Sequence, residues 1–295
     1  MTSKSDAPIK ILRGAPQMLL NDFFADTLNK VQEYVIDAAR FTMIVGKKGI
    51  RFSFDPGSFL DANDVPVRGE VQIQLCEMFD KGEMILNNLM TTSENRLLES
   101  AGQFFIKATQ NLEPLTLLKP VKVEVPVQKK LSNAVASRLF EGSFASILPF
   151  NSNRIFDWKL LQTKPLKIRK ISDRKYFHFT IKRFNWFSCQ YFYTKKPIGN
   201  MVSARCLSDV EYFDDQAAFI VFRDIHAVAP MYFINNKFST FNIPSNLAAS
   251  IVIIGLKDQQ LFLGQHQMDR TFSRLVSVQM EAVSKSRMLD TLRSL

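Results

Sequence analysis

The chain has 295 residues, 46% hydrophobic and 22% charged, a balance that builds packed cores and excludes disordered or collagen-like chain. Its formal charge is +10, and its 26 phenylalanines against 2 tryptophans and 6 tyrosines favour pleated, half-buried surfaces. No apolar run reaches the roughly 18 residues a membrane-spanning helix needs, and the length suits two domains of about 100–150 residues, or one large one.

Residues 1–30 form an N-terminal extension. Residues 1–15 are polar, and from Pro16 to Lys30 the apolar positions Leu20, Phe24, Leu28 and Val31 recur at helical spacing, which predicts a short helix. Tyr34–Ile36 and Phe41–Val45 read as extended. Gly46-Lys-Lys-Gly49 makes a turn, after which Ile50, Phe52 and Phe54 alternate with Arg51 and Ser53 in the period of a half-buried strand. Turn residues fill Asp55-Pro-Gly57 and residues 61–66. Three further alternating runs follow: Val71, Ile73 and Leu75; Phe104, Ile106 and Ala108; and Val121, Val123, Val125 and Val127. Four such strands separated by turns predict an antiparallel β-sandwich over residues 31–130.

Residues 131–157 contain Gly142, several serines, Pro149 and Asn151-Ser-Asn153, a loop composition that reads as a linker. Strands resume at Trp158–Leu161, Leu166–Ile171, Tyr176–Ile181, Val202–Leu207, Ala217–Phe222, Ile251–Gly255, Leu261–Leu263 and Leu275–Met280. Residues 284–295 bring Met288, Leu289, Leu292 and Leu295 together on a C-terminal helix. The expectation is an all-β protein of two β-sandwich-like domains, the second over residues 158–295, with a short helix at either end.

Charge is concentrated. Between Lys164 and Lys196 lie ten basic residues against one acid, Asp173, together with nine aromatic side chains. Cations that follow phosphates and rings that stack on bases are what a single-stranded nucleic-acid platform needs, with Lys167, Arg169, Lys175, Tyr176, Phe179, Lys182 and Trp186 as its residues. The same alternation fits a strand with Phe177, Phe179 and Ile181 in the core and lysines on a solvated face or a blunted edge. A basic face also suits an acidic partner protein or anionic lipid. The partner-binding candidates are Lys167, Arg169, Lys175, Lys182, Arg183, Lys195 and Lys196.

The ordered motifs Gly46–Asn63, Val71–Glu77, Met84–Leu86, Thr91–Ser93, Leu98–Gly102 and Ile106–Gln110 resemble a family of largely uncharacterised Bacteroidetes proteins, many of them envelope lipoproteins. That family's first domain is itself similar to the β-sandwich shared by ankyrins and netrin receptors. The resemblance continues through Leu139–Gly142, Asp157-Trp158, Asn185-Trp186, Cys189, Phe192-Tyr193, Val221–Asp224 and the closing leucine-rich helix. It implies a β-sandwich with an assembly or binding role and brings no catalytic residues with it. Lipoprotein members begin with a leader, whereas Met1–Pro8 lacks a secretory apolar core and a cysteine for lipid. The expected location is therefore cytoplasmic or assembly-associated, or the envelope if a leader was removed.

Sites for chemistry are sparse. Cys76, Cys189 and Cys206 are odd in number and far apart, which reads as buried thiols rather than a disulfide framework or metal knuckle. His178, His226 and His266 show no metal-ligand spacing, and the turn at Gly46–Gly49 lacks the serine or threonine and the helix of a phosphate loop. Asp61, Asn63 and Asp64 offer oxygens to a cation but equally make a turn. Asp214-Asp215 reads as a solvated loop rather than an acid/base pair. No enzyme, metal or cofactor is expected. The sequence points to a structural or adaptor protein that binds partner proteins with an acidic surface within a larger bacterial assembly; single-stranded nucleic-acid binding and carbohydrate binding on an exposed Trp158 or Trp186 stand as alternatives.

Overall fold

Side chains that alternate between water and core assemble residues 32–192 into two facing sheets. The computed structural model describes Leu20 and residues 31–128, 131–142, 157–194, 199–272 and 274–295. In the larger sheet, β1 (Gln32–Asp37) is followed in space by β5 (Glu70–Met78), β7 (Arg96–Gln110), β15 (Trp186–Phe192), β11 (Arg138–Gly142) and β12 (Trp158–Leu160). Two short strands, β6 (Thr92–Ser93) and β8 (Glu113–Pro114), pair with β7. The smaller sheet runs β13 (Lys167–Ile171), β14 (Arg174–Ile181), β10 (Val121–Pro126), β3 (Arg51–Phe54) and β2 (Thr42–Val45). A separate pair, β4 (Phe59–Leu60) with β9 (Thr116–Leu117), closes one end.

Register decides which side chains meet. Across the smaller sheet Ile44, Phe52, Val123 and Phe179 stand in one row. From the facing sheet Phe104 packs edge-on against Phe52 with centroids 5.4 Å apart and touches Phe187 at 5.6 Å. Phe52, Ile73 and Val123 are all fully buried, as the period of two predicts.

The remaining strands close into a barrel in the order β16 (Met201–Leu207), β19 (Lys237–Phe241), β18 (Val228–Ile234), β17 (Asp215–Phe222), β20 (Ala249–Lys257), β21 (Gln260–Met268) and β22 (Arg274–Val283). Closure comes from parallel pairing of β16 with β22, Val202 beside Arg274 through Leu207 beside Gln279. Ala204, Ala218, Ile220, Phe222, Ile251, Ile253 and Val278 fill the interior, so the barrel encloses a core rather than a channel. Two-residue turns with positive φ at both positions, such as Asn235-Asn236 and Asp258-Gln259, join its hairpins. Such turns match the right-handed twist of paired strands.

The all-β class is as expected, and two parts of the domain scheme are corrected. Strands β11 to β15 complete the first sandwich, because Phe179 pairs with Val123 and Phe187 with Phe104, so the segment expected as a linker does not divide two sets of sheet strands. The second set of strands is a closed barrel, not a sandwich. Loop composition marks where chain is irregular, whereas a boundary depends on which strands pair, and pairing is non-local. The helix expected over residues 16–30 lies outside the described residues apart from Leu20, which is buried and donates its N–H to Asp215 Oδ2 at 2.9 Å.

Two helices join barrel to sandwich. Helix α1 (Lys81–Leu86) has Glu83 reaching back to the Asp80 N–H at 3.2 Å, and α2 (Lys285–Arg293) is capped by Ser284, whose Oγ accepts from Arg287 N at 3.2 Å. Ile85, Leu86, Met288, Leu289 and Leu292 cover Phe219, Val221, Val252 and Ile254 on the barrel exterior. Thr91 N donates to Val228 O at 2.8 Å and Lys81 Nζ to Phe222 O at 2.7 Å, which fixes the two halves against each other.

Candidate functional site

The β13–β14 hairpin lies at one edge of the smaller sheet. Phe177, Phe179 and Ile181 point inward onto Val125, Val123 and Val121 of β10, so Lys167, Arg169, His178 and Thr180 share the outer face. Strand pairing sets a row across that face: Lys167 beside His178, His178 beside Glu124, and Glu124 beside Arg51. Glu124 pairs with Arg51 at 3.8 Å, with His178 Nδ1 a further neighbour at 3.6 Å, and Asp55 pairs with Lys122 at 3.6 Å. These acids are therefore engaged by their own neighbours.

Lys167, Arg169, Lys170, Arg174, Lys175 and Lys182 are exposed, and among the described residues none of them forms a salt bridge. Of the sequence-predicted positions, Lys167, Arg169 and Lys175 thus belong to the β13–β14 hairpin, Lys167 and Arg169 on its outer face and Lys175 beside Lys170 near the turn, while Lys182 follows the end of β14. Arg183 is instead paired. Its guanidinium is bound by both oxygens of Glu141, which also accepts from Asn185 Nδ2 at 2.9 Å, so Arg183 ties the start of β15 to β11. Burial alone would raise the Glu141 pKa, but the bonds from Arg183 and Asn185 outweigh it and hold the carboxyl below its ordinary range. Lys195 and Lys196 lie outside the described residues.

The aromatic half of the expected platform is absent from the surface. Tyr176, Phe179 and Trp186 are only 4%, 7% and 2% exposed, with the Arg51 guanidinium 4.8 Å above the Tyr176 ring. No base can stack on rings already covered, Phe179 and Trp186 by core side chains and Tyr176 by Arg51. Both indoles are buried as well: Trp158 is fully enclosed and donates Nε1–H to Met90 O at 2.8 Å, which removes the platform a carbohydrate reading requires. Asp61 accepts from Asn63 N at 2.8 Å and Val65 N at 2.9 Å, the bonding of a turn. Asp214 binds Lys257 at 3.1 Å and accepts from Asp258 N, and Asp215 holds Leu20 N; the pair is a structural anchor, not a solvated loop.

Sequence reasoning missed a cleft of about 1670 Å³ between sandwich and barrel. The hairpin turn Asp173–Lys175 and the end of β10 form one lip; Arg223–His226 and the C-terminal end of α2 form the other. Beside it lies a buried polar network. Glu99 accepts from Ser132 N and Oγ, both at 3.1 Å, and from the Tyr191 hydroxyl, whose pKa is pushed up by burial and then by Glu99. His226 Nδ1 donates to Ser100 O at 2.8 Å. The signal that could have located one lip was the charge cluster; the other lip is some 50 residues distant in sequence, and no local pattern joins them.

Fold and surface together define a class: a β-sandwich fixed to a filled seven-stranded barrel, with an unneutralised cationic sheet edge beside the cleft between them. Compared with models of protein families and with curated proteins, the chain matches none.

Proposed function

We propose that this protein is a non-enzymatic structural or adaptor subunit that binds an acidic partner protein through the β13–β14 edge within a larger bacterial assembly. The observation that carries this reading is the set of six exposed cations, Lys167, Arg169, Lys170, Arg174, Lys175 and Lys182, that lack acidic partners among the described residues. Unneutralised like charges repel one another and are favourable only when a complementary surface arrives. Five of them, Lys167, Arg169, Lys170, Arg174 and Lys175, sit on paired strands, which holds their backbone in a fixed array and lowers the ordering cost of association.

The test is purification of the native complex with identification of co-eluting chains, repeated with the Lys167→Glu, Arg169→Glu, Lys175→Glu, Lys182→Glu variant. An acidic protein should co-elute with the wild type, be released as salt rises toward about 0.5 M, and be lost from the variant. Retention by the variant would overturn the proposal.

A further inference from the structure

We infer that the cleft between sandwich and barrel receives an extended, acidic and partly apolar segment of the partner protein; the inference rests on the reading of the basic edge as the partner site. At about 1670 Å³ the cleft exceeds the roughly 300–1,000 Å³ typical of small-molecule sites and has room for a length of polypeptide. Its walls combine apolar Leu131, Ala134 and Ile225 with the cationic lip Arg174 and Lys175, so the chemistry that complements it is an alternation of apolar and acidic side chains.

The charges of the cleft are not equally free. Asp80 is held by Lys48 at 2.8 Å, Asp224 accepts from Ala248 N at 2.7 Å, and Arg223 donates to Met268 O at 3.1 Å. Arg174 and Lys175 carry no such partners among the described residues, with Asp173 at the turn tip the acid between the strands. They are also pre-positioned: Lys175 O accepts from Val127 N at 2.9 Å, which anchors the turn to the end of β10. A second copy of this chain is a poor occupant, because each copy carries a formal +10. A partner segment in the cleft continues directly from the basic edge, since the β13–β14 turn belongs to both.

Fluorescence anisotropy of the full chain with a fluorescein-labelled peptide of six Glu-Val repeats tests this, with six Lys-Val repeats as the charge control. The acidic peptide should bind and the basic one should not. Ala134→Trp, which fills the cleft, and Arg174→Glu with Lys175→Glu, which reverses its lip, should each weaken binding about tenfold or more, whereas Lys167→Glu with Arg169→Glu on the outer face should cost about threefold. The lip variant changes only exposed side chains, so it remains informative if Ala134→Trp fails to fold. Absence of peptide binding to the wild type, or binding unchanged by the cleft-filling and lip variants, overturns the inference. If binding is abolished by the outer-face variant alone, the basic edge stands as the partner site and the cleft does not. If no charge reversal affects either the peptide or the co-eluting protein, both readings fall.

Discussion

Ser100 and His226 are hydrogen-bonded to each other twice across the junction of sandwich and barrel: Ser100 N donates to His226 O at 3.0 Å, and His226 Nδ1 donates to Ser100 O at 2.8 Å. Burial is the main reason the imidazole titrates below its ordinary range; the Ser100 bond, Asp80 and Glu99 act against that shift, and Lys81 adds to it. A depressed folded pKa means the unfolded chain binds the proton more readily. Stability from this group is therefore complete above an unfolded value of about 6.5 and is lost as pH falls through the folded value. His226→Asn retains an amide donor without a titrating ring. Its urea midpoint should change less than that of the wild type between about pH 7.5 and 5, where the unfolded imidazole becomes charged.

Gly82 lets α1 approach α2. A Cβ built there would stand 2.2 Å from Leu292 O and 2.7 Å from Leu292 C, both backbone atoms that have no rotamer to yield. Gly82→Ala gains helix propensity but forces the helices apart, and a net loss of about 1–3 kcal/mol is expected from overpacking. Thermal unfolding measures it, and a variant as stable as the wild type would refute the close contact.

Glu141 and Arg183 supply an acid-sensitive tie between β11 and β15. Because the Glu141 pKa is lowered on folding, its contribution is present above an unfolded value of about 4.3 and disappears as pH falls through the lower folded one. Arg183→Ala should shift acid unfolding to higher pH and leave stability near neutral pH only slightly reduced, since Arg183 is 62% exposed and screened by water. Identical acid midpoints for the two proteins would show that the pair contributes nothing.

Thiol labelling separates the three cysteines. Burial raises the Cys76 pKa to about 12 and that of Cys189 further still, while Cys206 is half-buried and raised less. Iodoacetamide near pH 8 should leave Cys76 and Cys189 untouched in the folded protein, label Cys206 slowly, and reach all three in denaturant. Rapid native labelling of Cys189 would place it outside the core described above.

Phe52→Ala examines the centre of the sandwich. The ring is fully buried and packed on Phe104, so its removal should cost about 3–5 kcal/mol by urea unfolding. A loss below about 1 kcal/mol would mean the two sheets do not face each other there.

Strands with one dry and one wet face were legible as such. Val71, Ile73 and Leu75, and Val121, Val123 and Val125, all turn inward. Trp186–Phe192 was missed because six of its seven residues are buried, which erases alternation. Val228–Ile234 was missed because Pro230 interrupts it. At the candidate site, the cations at Lys167, Arg169, Lys175 and Lys182 were readable as a cluster. That Arg183 answers to Glu141, 42 residues earlier, was not.

Composition and period thus determined that this chain forms sheets and that its positive charge gathers in one segment, because both are properties of neighbours along the chain. Only tertiary structure decided that Val123 meets Phe179, that β16 closes on β22, and that the turn at Asp173 faces the barrel loop at Asp224. Those outcomes depend on contacts between residues far apart in sequence, where a side chain's polarity states its need for burial but not the partner that provides it.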